Sequence, residues 1–239
     1  MYGLTLPMKT VGIIGGLGPE TTARFYLELI ALCQKKDDRH RPPILIWNVP
    51  ISYQAEWEEI INGKFSNEMP ELLIAAAKQL ERNGADFVVL PCNSSHVFIN
   101  AIKDAIHIPI LNMLDVTIQH LKNNHISQVG ILSTLITRKS ELYSSVLKAN
   151  NISFEMPTNA EQENLNNLIL KLTLADYGDK EKAILQDVMK QLRHRGIKHI
   201  VLACAALEVL ISQKDSDFLH DTMKIYAQAT ARVILNEGK

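Results

Sequence analysis

The chain has 239 residues, 46% of them apolar and 21% charged, the proportions of a globular protein with one large domain or two small ones. A net charge of −1 gives no electrostatic reason to bind nucleic acid or an anionic membrane, and no apolar run reaches the ~18 residues of a spanning helix. Three cysteines without CxxC, HExxH or a histidine-rich cluster argue against a disulfide framework and give no support to a metal site. Met1 to Met8 lacks the basic start and long apolar core of an export signal, so it reads as a short ragged extension, and free thiols in a cytoplasmic protein are expected.

Strand and helix patterns alternate along the chain. Thr10 to Ile14 is an apolar run bounded by glycine and predicts a buried strand. Pro19 and Glu20 open a helix to about Lys35, proline being suited to a first turn. A strand follows over Ile44 to Val49, then a less regular stretch with helical parts from Ser52 to Lys64. Leu72, Leu73, Ala76 and Leu80 fall at helical spacing within a helix from Pro70 to Asn83. Phe87 to Leu90 predicts a strand, Ser95 to Ile106 a helix and Ile108 to Leu111 a short strand. The second half repeats the plan. Helices are expected over Asp115 to Asn123, Lys139 to Asn150, Gln162 to Thr173, Asp179 to Arg195 and Asp221 to Asn236. Strands are expected over Val129 to Leu132, Ser153 to Met156 and His199 to Ala203.

The alternation predicts an α/β fold of two pseudo-symmetric domains, each a parallel sheet flanked by helices, with the active site in the cleft between them. The expected units are residues 1–114, with a C-terminal helix at 217–239 packing back on them, and residues 115–216. An internal repeat supports this. Lys78-Gln79-Leu80, Gly84 and Val89-Leu90 lead into Cys92. Lys190-Gln191-Leu192, Gly196 and Val201-Leu202 lead into Cys204 at a constant offset of 112. Val11-Gly12-Ile13-Ile14 and Val129-Gly130-Ile131-Leu132 echo each other earlier in each half. Each repeat therefore ends a buried strand in a thiol at the carboxyl edge of a parallel sheet, where open α/β sheets bind ligands.

Pro91-Cys92-Asn93-Ser94-Ser95-His96 is the strongest local motif. Cys92 ends a strand and precedes a helix, whose N–H groups and dipole favour a thiolate or a bound carboxylate. Asn93 and Ser94 offer a cap and polar contacts, and His96 a minor tuning role. Cys92 is expected to be the more nucleophilic thiol, and Cys204, followed by apolar residues, to stay protonated. Cys33, on an amphipathic helix without polar company, reads as core. The glycine-rich Gly12 to Pro19 segment follows the first strand. It lacks the third glycine and the acidic strand end of a dinucleotide fingerprint, and the Gly-Lys-Ser/Thr of a Walker loop, so it suits a small carboxylate.

These motifs resemble the aspartate/glutamate racemase superfamily, closest to the aspartate racemase branch. Met8 to Pro19 is similar to the family's N-terminal signature, and Pro91 to His96 to its first-cysteine motif, usually Pro-Cys-Asn-Thr-Ala-His. Val201 to Cys204 stands at the second-cysteine motif, and Asp221-Thr222 at the tail motif. The resemblance implies a cofactor-independent amino-acid racemase, a homodimer, in which Cys92 and Cys204 exchange the α-proton from opposite faces. It also implies that Gly16, Leu17, Gln54, Asn93, Ser94 and Thr134 contact a small amino acid or carboxylate. Two departures stand out. The family's Gly-Cys-Thr-Glu is Ala203-Cys204-Ala205-Ala206 here, with Glu208 displaced. The Arg and Lys that hold a side-chain carboxylate in the family's aspartate enzymes align near Gln54 or Ala55 and near Thr173. The resemblance thus implies aspartate or a less acidic amino acid as substrate. A one-cysteine relative, of the maleate isomerase or arylmalonate decarboxylase type, and an amino-acid-binding pseudoenzyme are the alternatives.

Overall fold

The computed structural model describes residues 8–211 and 217–237. The extension expected at the N-terminus lies outside them up to Pro7. The first half contains β1 (Val11–Gly15), α1 (Pro19–Gln34), β2 (Ile44–Asn48), α2 (Tyr53–Trp57), α3 (Met69–Arg82), β3 (Phe87–Val89) and α4 (Ile99–Ala105). Then come α5 (Met113–Asn123), β4 (Gln128–Ser133), α6 (Leu135–Lys139), α7 (Leu142–Ala149), β5 (Ser153–Glu155), α8 (Asn159–Thr173) and α9 (Asp179–His194). β6 (Ile200–Ala203), β7 (Leu219–Asp221) and α10 (Thr222–Ile234) close the chain. All strand pairs are parallel, in the orders β2-β1-β3 and β5-β4-β6-β7. The first three strands of each sheet therefore share one arrangement, with the first strand of each half in the middle. β1 and β3 are buried along their whole length, because helices cover both faces of their sheet. α1 and α10 close one face through Phe25, Leu29 and Tyr226, and α3 and α4 close the other through Leu73, Leu80 and Ile102. In the second half α8 and α9 lie on one face, α5 and α7 on the other.

The repeat holds at the level of single atoms. A Cβ on Gly12 of β1 would meet Leu80 Cβ and Ala85 Cβ, both at 3.0 Å. One on Gly130 of β4 would meet Leu192 Cδ1 at 3.0 Å and Ile197 Cγ2 at 3.2 Å. Leu80 and Leu192, like Ala85 and Ile197, are repeat partners. The glycine between each pair, Gly84 and Gly196, has φ of +91° and +89°, a left-handed turn that glycine adopts without strain.

Several elements differ from the expectation. The helix after Cys92 begins as a 3₁₀ turn, Ser94–Phe98, and becomes α-helical only at Ile99. The expected strand Ile108 to Leu111 is a single bridge, Val88 to Ile110. Of the helix expected from Lys139 to Asn150, Leu142–Ala149 forms α7; Lys139 ends a separate, unexpected α6 capped by Thr134, and Glu141, at a left-handed φ of +53°, separates the two. β7 lacks an apolar run, carrying His220 and Asp221, and so gives no strand signal.

Candidate active site

β1, β3, β4 and β6 each deliver residues from their carboxyl ends to one cleft of about 190 Å³, lined among others by Leu17, Cys92, Thr134 and Cys204. The two thiols share this cavity and lie close enough for a charge on Cys92 to raise the pKa of Cys204.

Cys92 stands in a polar turn. Its Sγ lies 3.4 Å from Ser94 Oγ and accepts from Ser95 Oγ at 3.3 Å. Ser94 Oγ in turn donates to Glu59 Oε1. His96 does not touch the thiol. Its Nδ1 donates to the Cys92 carbonyl at 2.8 Å and its Nε2 accepts from the Met113 N–H at 3.1 Å, which fixes one neutral tautomer. Burial lowers the His96 pKa to about 4. The thiolate expected at a helix N-terminus is not favoured here. Burial, and then the nearby Glu59, raise the Cys92 pKa, against which the two serines pull.

Cys204 is 8% exposed and precedes a 3₁₀ turn, Ala205–Leu210. Burial pushes its thiol up to about 12, and the backbone N–H groups of Ala206 and Leu207 partly offset this. Glu208 faces away and pairs with Lys224 at 3.3 Å. Cys33, on the buried face of α1, lies in the core, with burial raising its pKa to about 11.

The other expected contact residues divide. Leu17, Asn93, Ser94 and Thr134 line the cleft; Gly16 and Gln54 do not. The Gly16 N–H is consumed by Thr22 Oγ1 at 3.0 Å, and its φ of +92° presses it against Val49, so it is a turn residue rather than an anion cradle. Gln54 is exposed and donates to Glu58 at 3.3 Å. Asn93 reaches the cleft, but its amide is engaged: it accepts from Tyr143 and donates to Thr222 Oγ1 at 3.1 Å, which donates to the Leu202 carbonyl at 2.8 Å. It joins the two halves beneath the site.

Glu59 is a cleft residue that sequence reasoning did not single out. It follows α2 on a π-helical turn, Glu58–Asn62, closed by Gly63 at φ +61°. The next residue, Ile60, inserts into the core of the second half, and this anchors Glu59 at 9% exposure beside Ser94. Burial raises its pKa to about 7, against the Ser94 hydrogen bond. An acid directly preceding Ile60-Ile61 in an irregular helix was the available signal.

A family model described as Asp/Glu/hydantoin racemase matches residues 14–230. The chain belongs to this family. The racemase RacX of Bacillus subtilis (strain 168), described as a broad specificity amino-acid racemase, is 28% identical over 231 residues, 94% of this chain and 98% of that one. An aspartate racemase homologue from Pyrococcus horikoshii OT3 is similar with a TM-score of 0.77 at 26% identity, over 96% of this chain and 100% of that one. The aspartate racemase of Picrophilus torridus has a TM-score of 0.76 at 25% identity, over 93% of this chain and 94% of that one. The chain is thus an isomerase of the racemase family with the two-domain racemase fold. Among the described residues no helix is long and apolar enough to cross a membrane, and no group of three His, Cys, Asp or Glu side chains could hold a metal ion.

Proposed function

We propose that the chain racemises a free amino acid by 1,1-proton transfer between Cys92 and Cys204, without a cofactor. The observation that carries this reading is the placement of two thiols, at the ends of repeat-related strands, in one cavity. Inversion at Cα needs a base on one face and an acid on the other. Cys204, held protonated by burial, suits the acid. Cys92 suits the base because its proton has a route out: the thiol gives it to Ser94 Oγ while Ser94 gives its own to the Glu59 carboxylate. The result is a thiolate and a neutral carboxylic acid, with no net charge added to the cleft. The thiolate takes the α-proton, the Cys204 thiol returns one to the opposite face, and the roles exchange for the other enantiomer. The carbanion-like state that forms between the two transfers calls for preorganised donors in a desolvated site.

Incubation with either enantiomer of a substrate in D₂O is expected to yield the other enantiomer carrying deuterium at Cα. Cys92→Ser and Cys204→Ser are each expected to abolish racemisation. Activity that survives one of the two changes would point to one-cysteine chemistry, and the absence of exchange with any bound amino acid to a binding protein.

A further inference from the structure

The wall of the cleft supplied by the first half is acidic. Glu20 at the start of α1, and Glu56 and Glu59 from the irregular helix that follows β2, all line it, and Arg24 is the one cation among its described lining residues. The acids converge from two elements. A methyl built on Gly18 would meet Glu20 Oε2 at 3.3 Å and Glu56 Oε1 at 3.6 Å, so these oxygens lie within about 7 Å of each other. Glu56 has no ion pair among the described residues, and burial together with Glu20 raises its pKa. Arg24 is one cation against three carboxylates. It has no ion pair among the described residues: its Nη2 donates to Thr21 Oγ1 at 3.4 Å and its buried Nε has no hydrogen-bond partner, which leaves it free for the α-carboxylate that every amino acid carries. It stands on the wall shared with an adjacent cavity that holds Glu28 and Glu208. The second half faces the acids with Ile169, Leu172, Ala175 and Val209 and no cation. Thr173, where a clamping lysine would stand, turns its hydroxyl to the Leu170 carbonyl at 2.8 Å.

These carboxylates share one cavity with Cys92 and Cys204, so whatever amino acid sits between the thiols meets them. A dicarboxylate would bring a second carboxylate to a wall that carries three carboxylates and one cation, and like-charge juxtaposition is unfavourable there. A side-chain ammonium or guanidinium would supply the missing counter-charge. We propose that the cleft selects amino acids with a cationic side chain, such as lysine, ornithine and arginine, with Glu56 and Glu20 holding the cation and Glu59 disfavouring a side-chain carboxylate. The proposal rests on the racemase reading for the position of the α-carbon. The specificity comes from the first half's α1 and the segment after β2 rather than from the thiol-bearing strands.

The test uses the full-length protein, with binding and exchange read separately. Calorimetry with L-lysine, its uncharged analogue L-norleucine and L-aspartate is expected to rank them in that order. Glu56→Gln should weaken lysine binding about tenfold, as the loss of one charge-assisted contact does, and leave norleucine unchanged. Glu20→Gln should act in the same direction, and serves if Glu56→Gln does not fold. α-Deuteration in D₂O should follow the same order of substrates. Equal binding of lysine and norleucine, or preferred binding of aspartate that Arg24→Gln abolishes, overturns the proposal and leaves the racemase reading intact. Lysine binding with the expected variant pattern but no exchange by any amino acid upholds the selectivity and overturns the racemase reading.

Discussion

Glu59 is almost fully buried and accepts a hydrogen bond from Ser94, whose hydroxyl lies 3.4 Å from the Cys92 thiol. A carboxyl with its pKa raised to about 7 is poised to act as a base near neutral pH, because it holds its proton weakly and yet is half ionised there. If it draws the proton from Cys92 through Ser94, kcat/KM of the wild-type protein rises as pH increases through about 7. Glu59→Gln keeps size and hydrogen bonding but cannot accept the proton. It is expected to lower kcat/KM roughly 10²-fold and to remove the rise near pH 7, the scale of general-base catalysis. A variant with lower activity but the same pH profile would show that Glu59 only positions Ser94. At this scale the sequence was legible where function coincides with a motif. Cys92 and Cys204 stand in the cleft because repeat partners at strand ends must come to equivalent places. Gly16 and Gln54 do not line the cleft, and a loop residue's availability depends on where its N–H or amide is already spent: here on Thr22 and Glu58.

The strand-helix units show what a repeat demands of its elements. Gly130 lies in the middle of β4, where glycine costs strand stability, yet α9 packs so closely that a Cβ would strike Leu192 and Ile197. Gly130→Ala is therefore expected to destabilise the fold by about 1–3 kcal/mol through overpacking, read as a lower midpoint in urea with an unchanged slope. Thr158, whose hydroxyl and partner Glu161 form a capping box at the start of α8, offers a smaller effect of about 1 kcal/mol on change to alanine. Elements with strong local signals, such as α1, α3, α9 and the buried strands, were readable from periodicity and glycine. The splitting of α6 from α7, the π turn that carries Glu59 and the edge strand β7 were not. The first is set by a local cap at Thr134 and the left-handed turn at Glu141, the other two by tertiary contacts: the insertion of Ile60 into the other half, and the pairing of Leu219, His220 and Asp221 with β6.

The joining of the two halves buries titratable groups of opposite kinds, and their linkage to folding gives the molecule a divided response to pH. We propose that the boundary falls at the start of α5, where Met113 packs in the core of the first half and Leu114 and Ile118 in that of the second. Across the joint, His120, His220 and His199 form a row, with ring nitrogens 3.1 and 3.2 Å apart. Burial and its two histidine neighbours lower the His220 pKa from 6.5 to about 4, and burial does the same for His96. In the unfolded chain these rings gain protons near pH 6.5, in the folded one only near 4. The unfolded state therefore binds more protons between those values, and the stability that the neutral rings contribute is present above pH 6.5 and lost as pH falls towards 4. Glu59 and Asp221 act in the opposite sense. Burial raises them to about 7 and about 6, so their share of stability is complete below their unfolded values and is lost as pH rises through the folded ones. Single variants separate the two trends, because differences from wild type cancel the remaining groups. Relative to wild type, His220→Gln is expected to gain Tm steadily as pH is lowered from 6.5 to 4. Glu59→Gln is expected to gain Tm as pH is raised from about 4.5 through 7. Thermal melts across that range with both variants test the pair of signs. A His220→Gln difference that does not change with pH would mean that the ring is solvated enough to titrate alike in the folded and unfolded chains.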